Sequence, residues 1–238
     1  MLKVLVIDDE KPILSMFRLF LTAYGYHVDI AEDGKTALLL FEQEHHQIVF
    51  TDLKMPGIDG IEVLRRIRNY QNLETQVIII TGHGDMDKAI EALDLDASDF
   101  INKPVEKRAL ESALQRAEMR IKQNIKTMGN IIEKRRAGST LYLEIYGKLI
   151  ANPSFSSLDT LDSQSLRLSS NSIKELNIKF SDDFSINRGG IDWLVEFISS
   201  IRDSGVSITM SGLSYNYIRF FQMVGIHKIA HIVEAKDE

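Results

Sequence analysis

Gln47-Ile48-Val49-Phe50-Thr51-Asp52-Leu53-Lys54-Met55-Pro56-Gly57 is the stretch on which the reading of this chain turns. An apolar, β-branched run ends in a carboxylate, and a Pro-Gly pair follows shortly after. A short run of this kind bounded by turn residues suits a buried strand. Three more runs share the form: Val4-Leu5-Val6-Ile7 ends in Asp8-Asp9-Glu10, Val77-Ile78-Ile79-Ile80 ends in Thr81-Gly82, and Asp99-Phe100-Ile101-Asn102 ends in Lys103-Pro104. Amphipathic segments near 12–24, 34–44, 60–70 and 85–95 separate the runs, and Asp33-Gly34 and Asp59-Gly60 supply turn chemistry between them. Alternation of this kind predicts βα repeats around a parallel sheet. In an open parallel sheet, ligands bind beyond the carboxyl ends of the strands, where these runs place an acid pair, an acid, a hydroxyl and an amine.

Those groups suggest one chemistry. Asp8, Asp9 and Asp52 repel one another unless a hard divalent cation sits among them, and oxygen donors with a phosphate-bearing substrate favour Mg²⁺. The cation would neutralise a transferring phosphoryl group while Asp52 acts as oxygen nucleophile. Lys103 and the Thr81 hydroxyl would bind phosphoryl oxygens. Taken singly, an Asp at a strand end is more often a turn or cap residue, and Asp9 could cap a helix starting near Pro12. Phe100 alone reads as core, and His45, His46 and His83 read as surface or loop residues.

This order and spacing resembles the receiver domain of two-component response regulators over about residues 1–120. The resemblance implies a doubly wound, five-stranded parallel sheet of the flavodoxin/CheY-like kind. It implies that a histidine kinase phosphorylates Asp52, and that Asp8, Asp9, Asp52 and the Lys54 carbonyl hold Mg²⁺. Thr81 and Phe100 match the switch hydroxyl and the switch aromatic, with Phe100 expected to turn inward on phosphorylation, and Lys103 matches the lysine that precedes a proline.

With 238 residues, 44% of them hydrophobic, the chain can build two ordinary domains rather than a disordered one. It has no cysteine, which excludes disulfides and thiolate metal sites and agrees with a reducing cytoplasm. The N-terminus opens on a strand without a signal-peptide pattern, and no apolar run is long enough to span a bilayer. The net charge of −6 is uneven: residues 1–104 are acidic, 105–138 basic and 139–238 mildly acidic.

From Glu106 the pattern turns helical. Leu110, Leu114, Ala117, Ile121, Asn124, Met128 and Ile131 recur at alternating four- and three-residue steps. This predicts a linker helix over 106–137 and a parallel coiled-coil homodimer with Asn124 fixing register. The other reading is a single helix whose apolar stripe packs on its own receiver domain, which the first half could do. Lys134-Arg135-Arg136-Ala137-Gly138 reads as its basic, glycine-closed end. That basic run has no neighbouring aromatics and argues against nucleic acid.

Residues 139–238 read as a small α/β domain with a mixed sheet. Strands are expected at Leu141–Gly147, Glu175–Phe180, Val206–Met210 and Ile226–Val233, and helices at Gly190–Ser204 and Tyr215–Val224. The Ser/Asn-rich stretch 152–172 reads poorly as a helix. The segments Phe184–Ile191, Ile201–Ile208 and Phe221–Ile229 resemble the STAS domain of anti-sigma-factor antagonists. That resemblance implies a protein partner with an anti-sigma or serine-kinase-like fold, engaged near Asn187, Arg188, Gly189, Gly190 and Trp193. It also exposes a departure. Where switchable members carry an acid and a phosphorylated serine, this chain has Asn187 and Gly189, so control is expected to rest on Asp52. Trp193, Tyr217, Phe220 and Phe221 read first as core. A DNA-binding output lacks a basic recognition helix, because Tyr215–Val224 holds only Arg219. An enzymatic output lacks a catalytic cluster: His227 and His231 have no acidic companion. The protein is therefore expected to be a signalling switch, not an enzyme beyond the phosphoryl chemistry of its own receiver.

Overall fold

The computed structural model describes residues 1–70, 74–82, 85–123, 131–151, 153–155 and 173–234, and the chain divides into two compact units, Met1–Lys126 and Thr127–Glu238. In the first unit, strands β1 (Lys3–Ile7), β2 (His27–Ala31), β3 (Ile48–Asp52), β4 (Gln76–Thr81) and β5 (Asp99–Asn102) form one parallel sheet in the order β2-β1-β3-β4-β5. Helices α1 (Lys11–Ala23), α2 (Gly34–Glu44), α3 (Gly60–Asn69), α4 (Met86–Asp94) and α5 (Lys107–Gln123) alternate with them. β1, β3 and β4 are apolar almost throughout because both faces of a doubly wound sheet are covered, and Val4–Ile7, Ile48–Phe50 and Val77–Ile80 are all fully buried. β2 is the strand with the weakest signal. It is an edge strand, and its sequence His27-Val28-Asp29-Ile30-Ala31 is only partly buried.

Local chemistry sets the helix starts. The Asp33 and Asp59 carboxylates accept N–H bonds from Thr36 (2.9 Å) and Glu62 (3.0 Å), capping α2 and α3. The residue before α1 is Glu10, not Asp9, and its side chain makes no cap bond.

The long linker helix is corrected. α5 is described over Lys107–Gln123, and Leu110, Ala113, Leu114 and Ala117 are buried within the first unit, where α5 packs on β4 and β5. The stripe at Leu110, Leu114 and Ala117 thus covers the chain's own sheet, as the single-helix reading expects of its first half. Asn124 and Met128 lie outside the described residues. The basic stretch is not a helix end either. Ile131–Ala137 forms β6, paired antiparallel with β7 (Thr140–Tyr146) from Ile131↔Tyr146 to Ala137↔Thr140. Gly138, at φ 61°, is the first residue of the two-residue turn between them, a position that favours glycine.

The second unit holds a six-stranded mixed sheet, ordered β13-β12-β10-β7-β6-β9, with β9 at Ser154–Phe155, β10 at Glu175–Phe180, β12 at Ser207–Ser211 and β13 at His231–Ile232. β8 (Lys148–Leu149) and β11 (Ser185–Ile186) pair separately. Leu141, Leu143 and Ile145 of β7 and Leu176, Ile178 and Phe180 of β10 are buried, and their alternation is the period-two pattern that the sequence shows. Helices α6 (Arg188–Arg202) and α7 (Tyr215–Met223) add Leu194, Ile198, Tyr217, Phe220 and Phe221 to this core. Phe180, Phe184, Tyr217 and Phe221 form a ring cluster with centroids 4.5–6.4 Å apart. The strand expected over Ile226–Val233 is broken: Ile226–Lys228 is a 3₁₀ turn after Gly225 (φ 85°), and only His231–Ile232 is strand. Nearly all of the Ser/Asn-rich stretch lies outside the described residues. Among those described, no helix is long and apolar enough to cross a membrane.

Candidate functional site

The strand register brings the expected groups to one edge. β1 and β3 pair with Ile7 opposite Thr51, so Asp8 and Asp52 leave the sheet side by side. β3 and β4 pair with Asp52 opposite Ile80, and β4 and β5 pair with Thr81 opposite Asn102. The Lys103 N–H then donates to the Thr81 carbonyl at 2.7 Å, which anchors Lys103 at the end of β5.

Asp8 is fully buried and Asp52 is 4% exposed, and one ammonium serves both. Lys103 Nζ lies 2.8 Å from Asp52 Oδ1, 3.0 Å from Asp8 Oδ2 and 3.0 Å from Glu10 Oε1. Asp8 Oδ1 accepts the Glu10 N–H at 2.8 Å, and Asp52 Oδ2 accepts the Lys54 N–H at 2.7 Å. Burial holds the Asp8 carboxyl above its usual range. The Glu10 amide and Lys103 oppose that shift, and the neighbouring Asp52 adds to it. Burial alone would lower the Lys103 ammonium, but the hydrogen bonds to Asp52, Glu10 and Asp8 outweigh it and hold the lysine charged.

The remaining expected residues are placed differently. Asp9 is exposed. Thr81 is 2% exposed, and its hydroxyl donates to the Gly82 carbonyl at 3.4 Å. Phe100 is 1% exposed and belongs to the core. The residue before it, Asp99, is tied to α5 by an ion pair with Arg116 Nε at 3.1 Å. His46 is buried rather than a surface residue: Nε2 lies 2.9 Å from Asp29 Oδ2. His83 lies outside the described residues.

Three residues join the site that sequence reasoning did not assign to it. Glu10 is the third partner of Lys103, and its only signal was its place after the acid pair. Gly60 opens α3 against the back of Asp52. A Cβ there would lie 2.1 Å from the Asp52 carbonyl oxygen, so only glycine lets the helix start so close. Asp85 precedes α4 and pairs with the Lys54 ammonium.

The donor set suits a hard cation. Asp8 and Asp52 offer carboxylate oxygens beside the exposed Asp9, and the burial that works against the Asp8 charge would be relieved by a bound cation. No group of three His, Cys, Asp or Glu side chains is already gathered for a metal among the described residues.

In the second unit, Asn187 is committed to structure: its Oδ1 accepts the Gly190 N–H at 2.8 Å and caps α6. Gly189 faces Ala151, where a Cβ would meet the alanine Cβ at 2.9 Å, and Gly190 faces the Leu149 carbonyl at 2.2 Å. Trp193 stacks on Phe197 with centroids 4.9 Å apart. These contacts explain the glycines by packing, and a serine at 189 would be crowded by Ala151.

Residues 4–115 match the family described as response regulator receiver domain. The crystal structure of a response regulator receiver domain protein from Clostridium thermocellum is 36% identical, with a TM-score of 0.50, covering 52% of this chain and all of that one. Among curated proteins, Regulatory protein AtoC of Escherichia coli (strain K12) is 34% identical over 115 residues, covering 48% of this chain and 25% of the relative. Transcriptional regulatory protein FixJ of Rhizobium meliloti (strain 1021) is 34% identical over 112 residues, covering 47% of this chain and 54% of the relative. The chain thus spans a quarter of one and about half of the other, and residues 139–238 lie outside the family match.

Proposed function

Because this chain belongs, through residues 4–115, to the response regulator receiver family, we propose that it is a two-component response regulator in which phosphorylation of Asp52 controls what the C-terminal unit binds. The observation that carries the reading is the shared ammonium: two buried carboxylates, Asp8 and Asp52, both paired with Lys103 at 3.0 and 2.8 Å.

In the proposed reaction an Asp52 oxygen attacks the phosphorus of a kinase phosphohistidine. The new O–P bond forms as the P–N bond breaks, and the electron pair leaves with the imidazole nitrogen. Lys103 is placed to follow the charge from the carboxylate to the phosphoryl oxygens, and the Lys54 N–H holds the second carboxylate oxygen in place. Asp8, Asp9, Asp52 and the Lys54 carbonyl would hold Mg²⁺, which when bound neutralises charge on the transferring group. Thr81 then exchanges its bond to the Gly82 carbonyl for one to a phosphoryl oxygen.

For the output we favour a STAS-like, protein-binding module in a cytoplasmic partner-switching pathway. Support comes from the mixed sheet, the Asn187-capped helix and the crowding at Gly189, which leaves no room for the usual serine. A DNA-binding output is the second reading, favoured by the name of one matched relative, Transcriptional regulatory protein FixJ. Its weakness is that α7 carries only Arg219 as a base.

The test is to incubate the full chain with acetyl phosphate and Mg²⁺ and follow intact mass. The wild type should gain one phosphoryl group and Asp52→Asn none. Protein capture and mobility shift on genomic fragments, each with and without phosphorylation, then separate the outputs. Binding that is identical in both states contradicts control by Asp52, because coupling requires unequal affinity.

A further inference from the structure

Of the three helices in the first unit that an aspartate precedes, α4 is the one without a side-chain cap. Asp33 and Asp59, before α2 and α3, have extended backbones (ψ 159° and 172°), and their carboxylates accept the N–H three residues on. Asp85 occupies the same position before α4, with φ −98° and ψ 21°, and makes no side-chain cap bond. Its carboxylate is engaged elsewhere: Oδ1 lies 2.5 Å from the ammonium of Lys54. Lys54 is the residue whose N–H already holds Asp52 Oδ2, so its side chain starts at the rim of the phosphorylation site. The first turn of α4 therefore lacks a side-chain cap, and the carboxylate that could supply one is paired with a lysine two residues from Asp52.

We infer that Lys54 and Asp85 form a latch opened by charge at Asp52: phosphorylation draws the Lys54 ammonium to the phosphoryl oxygens, and the released Asp85 caps α4. This rests on the reading of Asp52 as phosphoacceptor and adds a route from that charge to a helix that does not pass through Thr81 or Phe100. The competition favours the exchange. Lys54 is 62% exposed, so its ammonium is free to reach another anion, while the carboxylate that it leaves is buried. A phosphoryl group offers a denser negative charge and several acceptor oxygens. Asp85, 7% exposed, cannot stay buried without a partner and gains one in the N–H groups that open α4. Ion pairs from Lys88 to Asp59 at 3.1 Å and from Arg65 to Glu91 at 3.4 Å also join α4 to α3.

Hydrogen exchange of the α4 first-turn amides in the full chain, with and without acetyl phosphate and Mg²⁺, tests the latch, with intact mass read on the same samples. In the wild type, protection of Lys88 N–H should rise on phosphorylation. Lys54→Met and Asp85→Asn should show the raised protection without phosphate, since each frees a competent cap. Asp85→Ala should never show it. If mass shows phosphorylation of the wild type while its α4 protection stays constant, or if Lys54→Met matches the unphosphorylated wild type, the latch is wrong and the phosphoacceptor reading stands. If no phosphoryl group is gained, the phosphoacceptor reading itself fails, whatever the two capping variants show.

Discussion

Asp8 illustrates a site held at some cost to the fold. Its folded carboxyl titrates above the unfolded value, chiefly through burial, so folding disfavours its charged form. Above the folded value the ionised group lowers stability, and this loss disappears as pH falls below the unfolded value of about 3.9. Asp8→Asn should therefore raise the melting temperature at neutral pH without divalent cation, with the gain shrinking towards pH 3. Added Mg²⁺ should stabilise the wild type and not the variant, because only a cation that binds the native state shifts its melting. Gly60→Ala tests the back of the same pocket. Alanine is the better helix former by about 1 kcal/mol. The added methyl nevertheless meets the Asp52 carbonyl at 2.1 Å, and overpacking of this kind costs about 1–3 kcal/mol. Denaturant titration should show a net loss of stability, and Asp52 phosphorylation should slow. At this scale Asp8, Asp52 and Lys103 were legible, because each ends a strand that can only be buried. His46 was not: nothing local says that a histidine before a strand will be folded under against Asp29.

Among the elements, β2 and β3 meet through that histidine. Burial lowers its imidazole, and the hydrogen bond to Asp29 opposes the shift. Nδ1 has no hydrogen-bond partner among the described residues, so a proton there would be buried unpaired. The neutral ring contributes stability above the unfolded value of about 6.5, and that contribution is lost as pH falls through the lower folded value. The wild type should therefore lose stability from pH 7 to 5.5 faster than His46→Gln, by no more than about 1.4 kcal/mol per pH unit. β5 and α5 are joined by Asp99 and Arg116, 0% and 8% exposed. Arg116→Met leaves a buried carboxylate uncompensated and should cost about 3–5 kcal/mol in a denaturant melt, while the double change to Asp99→Leu and Arg116→Met should recover most of it. The coiled-coil and single-helix readings both stayed open at this scale for a physical reason. A stripe at Leu110, Leu114 and Ala117 specifies that one helix face is buried, not what buries it. β6 was hidden because Glu, Lys, Arg and Ala suit helices better than strands, and its pairing is dictated by the plain alternation of β7.

Over the whole molecule, two units each carry a core of their own, and only the first has a chemical site readable from its residues. The sheet order, the carboxyl-end edge and the placement of Lys103 follow from four apolar runs and what ends them. The second unit was legible as alternating strands and two helices, but its partner was not. Asn187, Gly189 and Gly190, expected to meet that partner, are accounted for by capping and packing. The account stands on one covalent bond. Reduction of the phosphorylated full chain with borohydride converts an aspartyl phosphate to homoserine, and peptide mapping then reads the position. The result predicted is homoserine at 52 alone, dependent on Mg²⁺ and lost in Lys103→Ala. Label at Asp8 or Asp9, or at 52 undiminished without Lys103, would contradict it.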